Sequence, residues 1–452
     1  MRLRKTITTI VATAILLAGW QLFAVIANQP ELIPSLPRLV RTLCEWLVSG
    51  SFYQSVGATI LRGILGMSIS FVCAIGMAGL FARFEWVYEL FRPLLAIMRS
   101  IPVISFILLA LIFLNPESIP LMIAFLTMFP LLTENLTRGI LDLRPGLSIM
   151  ARQFHIKRSN VLFQIIYPQL KPFLYSGLAS AAGFGWRAII MGEVLSQCAF
   201  GIGSEMKRAQ NFIAVPELLA WTIVAVFISF FFDKGISKVA DITPKISFAN
   251  EDQTIPTPTL SVLDTKDISY QYGIQHFSHS FQKGIIYGIS AHSGKGKTTL
   301  LNLIGGILLP TEGEIHPTRH FGIATIFQQP QLLPHLTAEE NIILPLSSFL
   351  TEEKARRIAQ KHLQEMEMEP FGNRYPKELS YGQQQRIAIA RALAYPSPLL
   401  LMDEPFKGLD EALSHRIIER IREMQMKEER IILFTSHNPD EIRLLADEVI
   451  YL

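Results

Sequence analysis

Six long apolar runs fill the first 240 residues, and this feature restricts the fold more than any other. We place the runs at residues 7–27, 57–81, 94–114, 119–137, 173–196 and 217–232. A helix that crosses the hydrocarbon core of a bilayer needs about 20 apolar residues. The sequence therefore predicts an all-α transmembrane domain of six helices embedded in the lipid bilayer.

The first run leaves two interpretations open. Arg2, Arg4 and Lys5 precede it, as they would in a secretory signal peptide. No small-x-small cleavage pattern closes the run, however, and five further runs follow it. We favour an uncleaved first membrane helix.

Charges between the runs predict the orientation of the chain, because Lys and Arg near membrane spans are retained in the cytoplasm. Basic residues lead the first run, lie between runs two and three and between runs four and five, and follow run six. We predict a multi-pass protein of the cytoplasmic (inner) membrane, with its N-terminus and everything after run six in the cytoplasm. A net charge of +3 is too small to indicate a nucleic-acid partner.

Charged residues also occur inside the fifth run. Arg187 and Glu193 lie there, where an ionisable group is costly and usually faces a cavity or a partner. Glu193 has two possible roles: it lines a transport pathway, or helix packing satisfies it near the outer end of the span.

Composition changes sharply after the sixth run. Half of all residues are hydrophobic and 17% are charged, but the apolar residues concentrate before about residue 240. We divide the chain into a transmembrane domain at 1–245, a polar linker at 246–259 and a second domain at 260–452. In the second domain, strand-like runs alternate with helical patterns, which predicts an α/β fold with a parallel sheet.

The first motif of the second domain is a predicted phosphate-binding loop. The strand-like run IIYGIS is followed by AHSGKGKTT and a helical segment. In such a loop the backbone N–H groups wrap the β-phosphate, Lys297 bridges the β- and γ-phosphates, and Thr298 holds Mg²⁺. Ala291 replaces the first Gly of the strict pattern, which the loop tolerates if the φ angle of Ala291 is negative. The predicted nucleotide-binding residues are Ser293, Gly294, Lys295, Gly296, Lys297, Thr298 and Thr299.

Polar side chains follow three other predicted strands. FGIATIF leads to Gln328, LLLM leads to Asp403 and Glu404, and IILFTS leads to His437. Two adjacent carboxylates at a buried strand end suit a magnesium ion with an attacking water. We predict Thr298 and Asp403 as metal ligands, and Glu404 and His437 as catalytic residues, with Glu404 polarising the water. Gln328 is assigned as a further metal ligand and catalytic residue only through the family resemblance that the complete set of motifs carries.

The segment LSYGQQQRIAIARAL adds an anion-binding helix start. It places Ser380, Gly382 and Gln383 immediately before an amphipathic helix. Asp410 follows in the short motif KGLD.

Together these motifs resemble the ABC ATPase family, with Walker A, Q-loop, signature, Walker B, D-loop and H-loop all between residues 288 and 437. The resemblance implies ATP and Mg²⁺ as ligands and an α/β P-loop ATPase fold. It also implies a head-to-tail homodimer, in which Ser380, Gly382 and Gln383 complete the site on the other copy and Asp410 is the D-loop residue.

Two positions in this resemblance need separate mention. The family places an aromatic residue under the adenine, for which we choose Tyr272, with Tyr270 as the alternative. Tyr381 stands where the signature usually has its first Gly, whereas Gly382 is retained.

The cytoplasmic loop at residues 146–168 reads GLSIMARQFHIKRSNVLFQIIYP, and its pattern predicts two short amphipathic helices around a basic turn, closed by Pro168. It resembles the coupling loop of binding-protein-dependent ABC importers, which docks into the ATPase. Ala151 and Pro168 match that pattern, and His155 stands where the pattern normally has Gly.

The membrane half is similar to importer permeases for nitrate, taurine, alkylsulfonates and related solutes, including thiamine precursors. The segments RSIPVISFILLALIFL and GEVLSQCAFGIGSEMKRAQNF carry this similarity. It implies ATP-driven import of a small solute delivered by an extracytoplasmic solute-binding protein, with permease and ATPase fused in one chain.

Two other hypotheses compete with import. ABC exporter half-transporters have the same domain order, but their membrane domains usually run longer than the roughly 240 residues here. A non-transporting ATPase that transmits force to a partner would carry large periplasmic insertions, whereas the outer loops of this chain are short.

Overall fold

The computed structural model describes residues 2–240, 244–253, 260–271, 273–292, 294–317 and 322–452. The chain divides into two compact units. The first combines Met1–Leu143 with Gln169–Thr243, and the second combines Arg144–Pro168 with Pro244–Leu452. The segment Arg144–Pro168, which contains the whole predicted coupling loop (residues 146–168), therefore belongs with the C-terminal half.

The first unit is helical throughout its regular structure. Its helices are α1 Arg2–Ala27, α2 Leu36–Trp46, α3 Gly50–Arg83, α4 Glu85–Ser100, α5 Val103–Phe113, α6 Ile119–Leu141, α9 Tyr167–Ser196, α10 Ile202–Asn211 and α11 Val215–Ala240. The labels α7 and α8 belong to Pro145–Gln153 and Arg158–Asn160 of the second unit.

The described residues contain four helices long and apolar enough to cross a membrane, or five if one bent pair counts as a span. This differs from the six spans predicted. The third run is broken at Ile101 and Pro102, where α4 and α5 meet at 94°. Proline at this position cannot continue the backbone hydrogen-bond ladder. Within the described residues the first run contributes a shorter apolar helix, Val11–Ala27, which is not counted among these spans.

Small residues allow the two central helices of this unit to approach closely. Gly66 on α3 lies so near Ala124 on α6 that a Cβ added to the glycine would meet the alanine methyl at 2.6 Å. Ala74 and Ala78 continue the same buried stripe of α3. Membrane helices pack through small residues in this way because lipid supplies no hydrophobic drive for their association.

The second unit is an α/β fold with two sheets. Its elements from residue 260 onward are β1 Val262–Tyr270, β2 Ile274–Gln282, β3 Ile286–Ser290, α12 Lys297–Ile304, β4 Glu312–His316, β5 Ala324–Ile326, α13 Ala338–Leu346, α14 Glu352–Glu365, α15 Tyr381–Ala394, β6 Leu399–Asp403, α16 Glu411–Glu428, β7 Ile431–Thr435, α17 Pro439–Leu445 and β8 Glu448–Tyr451.

Strand order explains how distant motifs come together. The five-stranded sheet has the order β5-β6-β7-β3-β8, and all four of its neighbouring pairs are parallel. The strands β1, β2 and β4 form a separate antiparallel sheet. Because the carboxyl ends of parallel strands meet at one edge, the loops after β3, β5, β6 and β7 converge there.

The coupling segment differs from its prediction at Pro168. The predicted second helix does not end there: α8 continues through a π-helical turn at Val161–Ile166 directly into α9. Proline has no N–H to donate, and a wider turn before it absorbs the missing hydrogen bond. Pro168 therefore lies inside a continuous helix.

Part of the predicted linker is packed against the second unit. Ile246 and Phe248 contact the main hydrophobic cluster of this unit. The alternating apolar residues of ISF were too few to predict this packing from the sequence, and residues 254–259 lie outside the described part of the chain.

Candidate nucleotide site and coupling segment

The loop between β3 and α12 has the shape of an anion cradle. Gly294 and Gly296 adopt left-handed φ angles of 85° and 90°, which glycine reaches without strain. A Cβ on Gly296 would also meet the carbonyl oxygen of Gly273 at 2.7 Å. The loop leads into the N-terminus of α12, where free backbone N–H groups and the helix dipole favour phosphate.

Lys297 begins α12 and is buried, with 7% of its surface exposed. Its ammonium group donates to the carbonyl oxygen of Ala291 at 2.8 Å, so the side chain folds back over the loop. Ala291 has no left-handed φ, which meets the condition set for alanine at this position. Two predicted nucleotide contacts, Ser293 and Tyr272, lie outside the described residues. Lys295 and Thr299 flank the cradle as loop and helix residues.

Asp403 ends β6 beside the cradle. The Thr298 hydroxyl donates to the Asp403 carboxylate at 2.9 Å, and the Thr435 hydroxyl at the end of β7 donates to it at 2.8 Å. Burial raises the pKa of Asp403, and the two hydroxyls oppose that rise without reversing it. A buried carboxylate in this state gains from a nearby cation.

Glu404 follows Asp403 in a strained backbone conformation, with a φ of 47°. Strain of this kind at a polar residue accompanies functional sites. The Glu404 carboxylate contacts His437 Nε2 at 3.0 Å and Lys407 Nζ at 3.2 Å. Burial alone would raise its pKa, but hydrogen bonds from Lys407 and Gln328 outweigh burial, so the pKa lies below its usual range. Glu404 is therefore held as a carboxylate.

A chain of polar contacts joins this carboxylate to the phosphate loop. His437 Nδ1 lies 3.4 Å from Lys297 Nζ, while its Nε2 contacts Glu404. Four predicted residues from separate strand ends thus meet: Lys297, Gln328, Glu404 and His437.

The signature segment starts α15 with a capping box. The Ser380 hydroxyl accepts from Gln383 N, and the Gln383 side chain accepts from Ser380 N at 2.9 Å. Gln383 thus has a structural task within its own chain. Asp410 caps α16 by accepting from Leu413 N at 2.9 Å.

Tyr381 connects the signature to two other loops. Its hydroxyl donates to the Gln328 carbonyl oxygen at 2.8 Å. Its ring lies against Gly408, where an added Cβ would meet the ring at 2.8 Å, and Gly382 lies against the Gly408 carbonyl. The tyrosine is accommodated because Gly408 has no side chain and a φ of 79°.

The donors present fit a magnesium nucleotide. Thr298 and Asp403 supply a hydroxyl and a carboxylate within hydrogen-bond distance of each other, and Gln328 adds an amide beside Glu404. Oxygen ligands of this kind are those that Mg²⁺ takes alongside substrate phosphates.

The predicted coupling loop packs into the hydrophobic core of the second unit through α7. Leu147, Met150, Ala151 and Phe154 are all buried in the main cluster. Gly146 lies against the Gln331 side chain, which an added Cβ would meet at 2.6 Å. Ala151 at 4% exposure occupies the small-residue position that the coupling pattern predicts.

Gln153 and Phe154 anchor the end of α7. Gln153 Nε2 donates to the Gly305 carbonyl oxygen at 2.8 Å, and the backbone carbonyl oxygen of Gln153 accepts from Ile323 N at 2.8 Å. The Phe154 ring packs edge-on against Tyr395 and lies 5.4 Å from the Arg391 guanidinium. Arg391 also donates to the backbone carbonyl oxygens of Pro330 and Gln331, which follow shortly after Gln328.

His155 has the backbone conformation that explains the glycine of the coupling pattern. Its φ is 46°, in the left-handed region where glycine is favoured. The predicted turn is thus formed despite the side chain, which is exposed at the surface of the unit. Desolvation lowers the pKa of His155 below its ordinary value.

In the first unit, Glu193 is fully buried and takes its bonds from the protein. Arg62 Nη1 donates to it at 2.7 Å, Thr59 at 2.9 Å and Gly203 N at 2.9 Å. Arg62 also contacts Glu117 at 2.7 Å. These contacts favour the packing role over the pathway role for Glu193.

Sequence reasoning missed three residues of the nucleotide site. Thr435 joins Asp403 to the Glu404 backbone, Lys407 neutralises Glu404, and Arg391 fixes the Q-loop backbone. A hydroxyl in the last residue of a buried strand, two residues before His437, was an available signal for Thr435. Lys407 and Arg391 gave no local signal because their contacts depend on the tertiary fold.

Two family models match the chain in its two halves. Residues 56–233 match the binding-protein-dependent transport system inner membrane component, and residues 274–407 match the ABC transporter family.

Curated relatives match the second half. An uncharacterized ABC transporter ATP-binding protein of Methanocaldococcus jannaschii is 34% identical over 201 residues, which cover 40% of this chain and 85% of that protein. The Fe(3+) ions import ATP-binding protein FbpC of Rhizobium etli is 35% identical, covering 40% of this chain and 54% of the relative. The glucose import ATP-binding protein GlcV of Saccharolobus solfataricus is 35% identical, covering 38% and 52%.

The strand-end site and these matches define an ATP-binding cassette fused to a helical permease region. The chain belongs to the ABC transporter family. It spans about half the length of the two named import ATPases.

Proposed function

We propose that this chain is a fused permease and ATPase half-transporter that imports a small solute across the cytoplasmic membrane. Two copies would associate, giving two equivalent composite ATP sites, and an extracytoplasmic solute-binding protein would deliver the solute. One observation carries the proposal: the coupling segment is built into the core of the ATP-binding unit of the same chain.

The membrane topology belongs to the same proposal. Helix α1 would add a crossing to those that pass the length and composition test, giving six, because its 26 residues are long enough for about 39 Å of helix. The N-terminus and the ATPase would face the cytoplasm. The membrane domain would be residues 1–245 and the ATP-binding domain residues 260–452.

The site residues would divide the work of hydrolysis. Lys297 and the loop N–H groups would bind the β- and γ-phosphates, and Thr298, Gln328 and Asp403 would hold Mg²⁺, which neutralises charge on the transferring phosphoryl group. Glu404 would orient water and accept its proton as the bond from oxygen to the γ-phosphorus forms and the bond to ADP breaks. His437 would donate to a γ-phosphate oxygen, and Ser380 and Gly382 of a second copy would close the site.

For His437 to reach the γ-phosphate, it would first have to leave its contact with Glu404. The imidazole now bridges Lys297 and Glu404, so all three side chains would separate to admit the γ-phosphate.

Our proposal for the class of transported solute is based on the membrane half of the chain. The relatives of the ATPase half are named for iron and for glucose, so that half does not discriminate between cargos. The match to a binding-protein-dependent membrane component and the segments similar to nitrate, taurine, sulfonate and thiamine-precursor permeases favour a small solute of that group.

A reconstituted transport assay tests the proposal. Proteoliposomes would enclose ATP and Mg²⁺, with a candidate binding protein and labelled nitrate, taurine or a thiamine precursor outside. We expect ATP-dependent accumulation of one solute inside the vesicles that depends on its binding protein. Loss of preloaded solute from the ATP-containing side would instead support the exporter hypothesis, and hydrolysis without movement of any solute would support a non-transporting ATPase.

A further inference from the structure

The segment that follows α11 forms an ordered strap over the ATP-binding unit. The strap is residues 244–253. Ala249 N donates to the Ser347 carbonyl at 3.0 Å, and Gln253 N donates to the Phe349 carbonyl at 2.8 Å. Ile246 and Phe248, just before these contacts in the chain, pack against the main cluster. The strap thus pairs with the connection between α13 and α14.

Asn160 of the coupling segment joins the strap to that connection. Its Nδ2 donates to the Ser247 carbonyl and to the Ser347 hydroxyl, both at 2.8 Å, and its Oδ1 accepts from Ser247 N at 2.8 Å. The side chain is buried, at 1% exposure. A buried amide that satisfies groups on two other segments fixes their separation, because each lost bond leaves a polar group without a partner.

Further contacts surround this amide. Gln164 Nε2 donates to the Pro244 carbonyl at 3.0 Å, and Lys157 N donates to the Ser348 hydroxyl at 2.9 Å. At the far end of the strap, Asp252 accepts from the backbone N–H and the hydroxyl of Thr351, both at 2.9 Å, beside the start of α14. Both ends of the strap are therefore attached.

We propose that the strap is a second docking surface for the coupling segment, which holds that segment on the ATPase half of its own chain. Asn160 is the positioning residue of this surface. The fusion then does more than join two domains: the connecting residues complete the surface through which movement of the ATPase reaches the permease. The inference rests on the proposed coupling function and adds the element that secures it.

Two variants of the full-length chain test the strap. Asn160→Asp keeps the acceptor at Oδ1 but replaces the Nδ2 donor by an oxygen that faces the Ser247 carbonyl. Ser247→Pro removes the strap N–H and changes no residue of the coupling segment or the nucleotide site. Lys245→Gln is the matched control, because its side chain is in the strap and exposed.

The first measurement is amide hydrogen exchange of the strap in the reconstituted protein. We expect strap amides to be protected in the parent chain and in Lys245→Gln, and to exchange about tenfold faster in the two test variants, as loss of a buried hydrogen bond predicts. Unprotected strap amides in the parent chain would overturn the proposal, whatever the transport result.

The second measurement is solute moved per ATP hydrolysed. We expect ATP hydrolysis to remain within about twofold of the parent chain while transport per ATP falls by about tenfold in both test variants, the loss expected when one buried hydrogen-bonding residue is removed. An unchanged ratio in either variant with a released strap would contradict the inference. A protected strap in a parent chain that moves no solute would instead reject the proposed import function and leave the strap as a structural docking surface only.

Discussion

A fully buried glutamate in one unit and a partly exposed glutamate in the other are stabilised in opposite ways. Glu193 of the membrane unit is fully buried and receives bonds from a guanidinium, a hydroxyl and a backbone N–H. Glu404 of the ATP-binding unit keeps 15% of its side chain exposed, has a left-handed φ, and contacts the half-exposed side chains of Lys407 and His437. The first is satisfied by its own chain, whereas the second is placed to exchange its partners for a ligand. The difference indicates which carboxylate is structural and which is chemical.

The largest expected effect is on Glu404. Glu404→Gln keeps the shape but cannot accept a proton from water, so we expect ATP hydrolysis to fall by about 10² to 10⁴-fold, the usual contribution of a general base. ATP binding and thermal stability should persist, because Glu404 is not part of a closed structural network. Phosphate release and binding of a fluorescent ATP analogue measure the two quantities, with the surface variant Glu423→Gln as the control. Unchanged hydrolysis would refute the assignment of Glu404.

Glu193→Gln tests the other side of the comparison. Breaking a buried ion pair leaves Arg62 without its buried partner, which typically costs about 3–5 kcal/mol. We expect a large loss of thermal stability in detergent, with ATP hydrolysis by the folded fraction preserved. Glu117→Gln is the matched control, since Glu117 contacts the same Arg62 but is 49% exposed, and exposed pairs contribute about 0–1 kcal/mol. Full stability of the Glu193 variant together with lost transport would support a pathway role.

The α/β fold of the ATP-binding unit and several of its strand-end residues could be predicted from the sequence, because they lie in short motifs at strand ends. Lys297, Asp403, Glu404 and His437 meet where parallel strands end, as strand order requires. The membrane unit is specified by apolar runs alone, and these do not show where a helix is broken, as at Pro102. Partners far apart in sequence, such as Arg62 with Glu193, could not be inferred from either pattern.

The coupling segment falls between these two cases. Ala151 and His155 were singled out only through the resemblance to importer coupling loops, and the structure gives Ala151 a buried position and His155 a left-handed φ. The continuation of the helix through Pro168 was not predicted, because a proline usually ends a helix. The π-helical turn that accommodates the proline has no clear signal in the sequence. The strap was missed because a polar, Pro-containing segment normally predicts a linker.

A smaller effect is expected at Thr435, which contacts the proposed catalytic pair, Asp403 and Glu404. Thr435→Val removes the hydroxyl that donates to Asp403 and accepts from Glu404 N. Leaving such groups unsatisfied costs about 1–3 kcal/mol, so we expect hydrolysis to fall about tenfold or more and more Mg²⁺ to be needed for half-maximal rate. Thr435→Ser should restore both quantities, because it keeps the hydroxyl. Failure of the serine to rescue would show that the methyl packing matters instead.

The smallest effect concerns the charge state of Glu404 and is read from pH dependence. Burial raises the pKa of Glu404, and Lys407 and Gln328 lower it further than burial raises it, so the net pKa is depressed. Hydrolysis needs the carboxylate form, which is present above that pKa and lost as pH falls through it. Removing the cation in Lys407→Met should therefore raise the pKa and move the acid limb of the rate profile to higher pH, with no change on the alkaline side. The shift should be modest because Lys407 is 51% exposed and solvent screens its charge.

The surface variant Lys427→Met is the control and should leave the pH profile of hydrolysis in place. An acid limb that moves to lower pH in Lys407→Met would mean that a group other than Glu404 controls it, and the contrast drawn between the two glutamates would lose its support on the catalytic side.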